Sequence, residues 1–96
     1  MNKVDFSYQY DTEEDVMVLE EKKPSHKIVL FNDDVNTFDW VITSLVQICN
    51  HDETQAEQCA HIVHFNGKCI VKEGDFRKLE PMCTALLERG LSATID

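Results

Sequence analysis

Six strand-forming residues, His26 to Phe31, stop dead at Asn32-Asp33-Asp34. Just beyond, Phe38, Val41, Ile42, Leu45, Val46, Ile48 and Cys49 recur at helical spacing. This change of period is the tightest constraint on the fold. A β-branched, apolar run predicts a strand, while Asn and Asp bond their own backbone and favour a turn. Thr37 predicts the N-cap of the first helix, and Asp39 favours its positive end.

Asn50-His51-Asp52 interrupts that helix. A second helix is predicted from about Glu53 to His64, capped by Asp52, with Ala56, Cys59, Ala60 and Val63 on one face. Gly67 suits a left-handed stop. Lys68 to Lys72 reads as a strand, and Ala93 to Ile95 as another. Between them a third helix covers roughly Phe76 to Arg89 and ends at Gly90. Pro81 falls inside that span, so the helix is open to starting there, with Pro81 near its first position. The order strand, helix, helix, strand, helix, strand predicts an α+β fold with helices on one face of a three-stranded sheet.

Residues 1–25 carry Asp5, Asp11, Glu13, Glu14, Asp15, Glu20 and Glu21 against three lysines, with no sustained period. They read as a flexible acidic extension, in which Val16 to Leu19 offers a brief edge strand. The packed domain is expected over residues 26–96. A chain of 96 residues supports one such core. Its formal net charge of -9 disfavours a nucleic-acid partner and suits a cationic one. No apolar run is long enough for a membrane helix and no secretory leader is apparent, so a cytoplasmic location is expected. Cys49, Cys59, Cys69 and Cys83 match no C-x-x-C spacing and are expected to be buried, reduced thiols.

Asn32, Asp33, Asp34 and Asn36 crowd the turn, and His61 and His64 share one face of the second helix. Three chemistries compete for this set. Asp33, Asp34, His61 and His64 offer a metal ligand set. Asp with His offers an acid–base pair, although no nucleophile stands at a recognisable spacing. Carboxylates, an amide carbonyl and a neutral imidazole also accept hydrogen bonds from an ammonium. With an apolar cleft beside it, such a site suits a protein N-terminus. A turn without any ligand is the simplest reading of the same residues.

The segments KIVLFNDDVNTFDWVITSL, QAEQCAHIVHFNGKCIV and LLERGLSATID resemble the ClpS family, adaptors that bring N-degron substrates to the Clp protease. The resemblance covers about residues 26 to 96. It implies a sandwich of three helices on a three-stranded antiparallel sheet, similar to the C-terminal domain of the ribosomal stalk protein. It implies a monomeric, non-enzymatic adaptor without metal or cofactor. It assigns Asn32, Asp33 and His64 to the substrate α-amino group, with Asp34 in the same turn. Val41, Val63 and Leu91 fall at the side-chain pocket, joined by Asn36, Phe38 and Ala60.

The implied substrates begin with Leu, Phe, Tyr or Trp. The implied partner is the N-terminal domain of a ClpA- or ClpC-like AAA+ unfoldase, which the N-terminal extension engages. Many members have Thr where Asn36 stands, and Met where Phe38 and Ala60 stand. Phe38 is therefore expected to pack into the space left by Ala60. Asp33→Ala is expected to remove the ammonium site and leave the fold intact. An N-terminus-binding module with another delivery partner, or a metal-dependent enzyme, are the alternative functions.

Overall fold

The computed structural model describes residues 25–96. The N-terminal extension, including the strand expected over Val16 to Leu19, lies outside the described residues. The elements are β1 (His26–Phe31), α1 (Phe38–Cys49), α2 (Glu53–Asn66), β2 (Lys68–Gly74), α3 (Phe76–Glu88) and β3 (Ser92–Ile95). This is the α+β arrangement the sequence predicts, with a three-stranded antiparallel sheet in the order β2-β1-β3.

The central position of β1 follows from its composition. Ile28, Val29 and Leu30 are all buried, as a strand flanked by two others requires. β1 pairs antiparallel with β2 from His26 opposite Gly74 to Phe31 opposite Lys68, with one irregularity between Ile28 and Val29. It pairs antiparallel with β3 from Ile28 opposite Ile95 to Phe31 opposite Ser92. The end of β1 therefore meets the start of both neighbours. Leu30, Val71 and Ala93 of the sheet join Leu45, Cys49, Ala56, Val63, Leu79 and Leu86 of the helices in one core.

The helix termini obey the capping chemistry read from the sequence. The Thr37 side chain accepts a hydrogen bond from the Trp40 N–H, and Asp52 does the same for Gln55 at 2.8 Å. α2 runs two residues beyond the predicted end and stops at Gly67, whose φ of 93° is left-handed. The Gly67 N–H donates to the Val63 carbonyl at 2.9 Å. α3 closes in a Schellman turn: Gly90 N–H donates to the Leu87 carbonyl and Leu91 N–H to the Leu86 carbonyl.

One detail, Cys69, differs from expectation, and two others settle what the sequence left open. α3 begins at Phe76 and continues through Pro81. The proline's missing donor leaves only the carbonyl of exposed Arg77 without its helical partner, so water can serve it. Cys69 is half-buried, because it lies on β2 at the edge of the sheet, while Cys49, Cys59 and Cys83 are buried. Burial pushes the Cys49 thiol up to about 11 and that of Cys59 up to about 12, so both stay protonated at neutral pH. His51, read as part of a helix break, is buried and bonds the Val71 carbonyl through Nε2 at 2.6 Å. A carbonyl only accepts, so Nε2 carries the proton in this bond.

A Cβ added at Gly67 would meet nothing within 4 Å. The cost of Gly67→Ala is then backbone strain alone, about 1–2 kcal/mol. Urea denaturation should show that loss at pH 7. An unchanged midpoint would mean that the α2–β2 corner does not depend on a left-handed residue.

Candidate functional site

The antiparallel register sends the chain out of β1 between two corners. Asn32 N–H donates to the Gly67 carbonyl at 2.9 Å, joining the turn to the end of α2. On the other side, Asn36 Nδ2 donates to the Gly90 carbonyl at 2.9 Å, joining it to the start of β3. A turn, a helix end and a strand start thus converge at one end of the sheet.

Asp33 organises the turn from within. Its Oδ1 accepts from the N–H groups of Val35 and Asn36, both at 2.9 Å, and its Oδ2 accepts from Asn36 Nδ2 at 2.8 Å. Both donors of the Asn36 amide are thereby engaged, which leaves its carbonyl oxygen as an acceptor. Burial works against the charge of Asp33. The Asn36 backbone N–H, the Asn36 amide and the Val35 N–H outweigh it and hold the carboxyl below its ordinary 3.8. The expectation that Asp33→Ala leaves the fold intact carries a local cost: removing the carboxylate releases three hydrogen bonds within the turn.

These segments enclose a cavity of about 230 Å³. Its polar lining comes from Asn32, Asp33, Asp34 and Asn36 of the turn and His64 of α2. Its apolar lining comes from Phe38 and Val41 of α1, Ala60 and Val63 of α2, and Leu91. The ten residues assigned to the binding site therefore meet around one hollow, while His61, offered as a metal ligand, does not line it. Sequence reasoning missed Leu30 and Phe31, which also line it. Their place beside the turn was a usable signal, since the last residues of the strand must border whatever the turn encloses.

Phe38, expected to pack into the space left by Ala60, lines the hollow together with it. Its ring meets the imidazoles of His61 and His64 edge-on, at 5.0 and 5.2 Å between centroids. Those contacts hold it over α2, and the hollow that Phe38 and Ala60 both border stays open. The size is informative. Pockets for drug-sized ligands run to roughly 300–1,000 Å³, so this one suits a single side chain. Among the described residues no group of three or more His, Cys, Asp or Glu side chains is placed to hold a metal ion. No helix among them is long and apolar enough to cross a membrane.

Because the Asp33 carboxyl is lowered in the folded state, it stabilises the fold fully above the ordinary value of 3.8. That contribution is lost as the pH falls through the lowered value. A carboxyl-carbon NMR titration should place the Asp33 midpoint below 3.8. A midpoint at or above that value would contradict the hydrogen-bonded turn.

The comparisons with known proteins agree with this architecture. The family model of the ATP-dependent Clp protease adaptor protein ClpS matches residues 21–94. The ATP-dependent Clp protease adapter protein ClpS of Thermosynechococcus vestitus is 34% identical over 70 residues, covering 72% of this chain and 74% of that protein. Its counterpart in Synechococcus elongatus is 31% identical over 74 residues, covering 76% of this chain and 78% of that protein. The structure of Agrobacterium tumefaciens ClpS2 bound to L-phenylalaninamide superposes with a TM-score of 0.69 at 22% identity. It covers 75% of this chain and 94% of that one, and shows the same fold. The chain belongs to the ClpS family, adaptors of the ATP-dependent Clp protease that serve a Clp unfoldase and are not themselves enzymes.

Proposed function

We propose that this adaptor binds the first residue of N-degron substrates, with the α-amino group at the turn and the first side chain in the cavity. The observation that carries this reading is the meeting of five polar and seven apolar residues around one hollow sized for a single side chain. An N-terminal residue has the matching form, because its ammonium and its side chain leave the same carbon.

The division of labour follows from the hydrogen bonds. Asp33 supplies negative charge while it holds the turn, and Oδ2 keeps lone pairs beyond the one engaged by Asn36. Asp34 is exposed in the same turn and adds a second carboxylate. The Asn32 side-chain carbonyl and a neutral His64 imidazole complete the acceptors. Each hydrogen bond to a charged group contributes roughly 1.5–3 kcal/mol net. Burying a large apolar side chain against Val41, Ala60, Val63 and Leu91 adds roughly 1.5–3 kcal/mol. Two or three such terms offset the cost of association only when both halves of the ligand are present. The ligand must then have a free amino group and a bulky first side chain.

Leu, Phe, Tyr and Trp are the substrates of this reading. β-Branched first residues are rejected in this reading, because a branch at Cβ adds bulk close to the backbone, where the side chain enters the hollow. The acceptor-rich, net-negative surface supports a cationic ligand end over an anionic one. Delivery is to the N-terminal domain of a ClpA- or ClpC-like unfoldase, engaged in part by the acidic extension.

Calorimetry with a short peptide beginning with Phe tests the ammonium site without touching the fold. Acetylating the peptide's amino group removes its charge and donors and should weaken binding by about 100-fold or more. His64→Ala should cost about tenfold. Equal affinity for the free and acetylated peptides would exclude the proposed mode.

A further inference from the structure

The cavity has an aromatic border that its own lining does not use. Phe65 is 75% exposed, a high value for a large apolar ring on a well-packed helix. It is also not isolated, as a scattered surface residue would be. Its ring stacks on His61 at 6.1 Å with 2° between the planes, and meets His64 edge-on at 4.8 Å. Both imidazoles touch Phe38, which lines the cavity, as does His64 itself. Phe38, His61, His64 and Phe65 form one connected aromatic surface that starts inside the cavity and ends in solvent.

We propose that this shelf binds an apolar side chain in the two residues that follow the first residue of the substrate. The inference rests on the N-terminus-binding mode proposed above. A chain whose amino group lies at the turn and whose first side chain enters the cavity has to leave over the rim. In extended backbone each step advances about 3.3 Å, and side chains alternate between faces. The second and third residues therefore pass within reach of the rim, one on each face of the strand. The shelf offers them ring faces and edges and carries no formal negative charge, unlike the turn with Asp33 and Asp34. Continuity with the cavity through His64 and Phe38 makes the outgoing chain its occupant, in preference to an unrelated partner.

The test uses the full-length protein and three peptides that begin with Phe. One has Gly at positions two and three; the others have Leu at one of them. Leu at one position should tighten binding about fivefold in the wild type, the scale expected for partial burial of that side chain. Phe65→Ser, an exposed change that leaves the core untouched, should abolish the gain and leave the Gly-Gly peptide's affinity unchanged. Absence of any gain, or a gain that survives Phe65→Ser, overturns the shelf. An equal loss for all three peptides would show that Phe65 only props His64, and overturns it as well. A fourth peptide with Gly at all three positions reads the first residue: if it binds as tightly as the Phe-Gly-Gly peptide, the binding mode itself fails and takes the shelf with it.

Discussion

The antiparallel pairing of β1 with both of its neighbours is the constraint on which the rest depends. In that register the end of the central strand lies between the start of β2 and the start of β3. The residues just outside those starts, Gly67 and Gly90, then present carbonyls to the turn from both sides. Each of these corners ends a helix, and each takes a positive φ. The fold thus delivers the His64 end of α2 and the Leu91 start of the last strand to the same place as the Asn32–Asn36 turn. No residue of the site needs a long or strained loop to reach it.

Within that frame, Asp33 couples structure to chemistry. A carboxylate that accepts three hydrogen bonds is worth more as an anion, and the lowered pKa is the thermodynamic expression of that preference. The same carboxylate that rigidifies the turn keeps its negative charge at the edge of the hollow. A pre-ordered, charged acceptor costs little to organise when a ligand arrives, which is how a small interface reaches useful affinity. The consequence for mutagenesis is that Asp33 variants report on folding and binding together. Changes in the ligand, or at His64, separate the two.

Much of this was legible in the sequence, for identifiable reasons. The β1 boundaries, the Thr37 and Asp52 caps and the Gly67 stop rest on local backbone chemistry, which does not depend on tertiary context. The turn residues, His64 and the apolar faces beside them were reachable from local pattern, while Leu91, far from them in sequence, was reachable only through the resemblance to ClpS. What the sequence left open was set by neighbours that it does not name. Pro81 left the start of the third helix open between Phe76 and itself, and α3 starts at Phe76 and passes through the proline. Phe38 beside Ala60 reads as a volume exchange, and the sequence does not name the two imidazoles that the ring also meets. His51 does lie in the break between α1 and α2, and the sheet also gives its Nε2 a carbonyl to bind.

The central claim is that one hollow receives both the charge and the side chain of a chain's first residue. A two-dimensional NMR titration with L-phenylalaninamide addresses it most directly, since that probe carries both groups and nothing beyond. Resonances of the Asn32–Asn36 turn, of Val63–His64 and of Leu91 should shift together along one saturable curve. Shifts confined to another face of the molecule, or to the turn alone without Val63 and Leu91, would contradict the account.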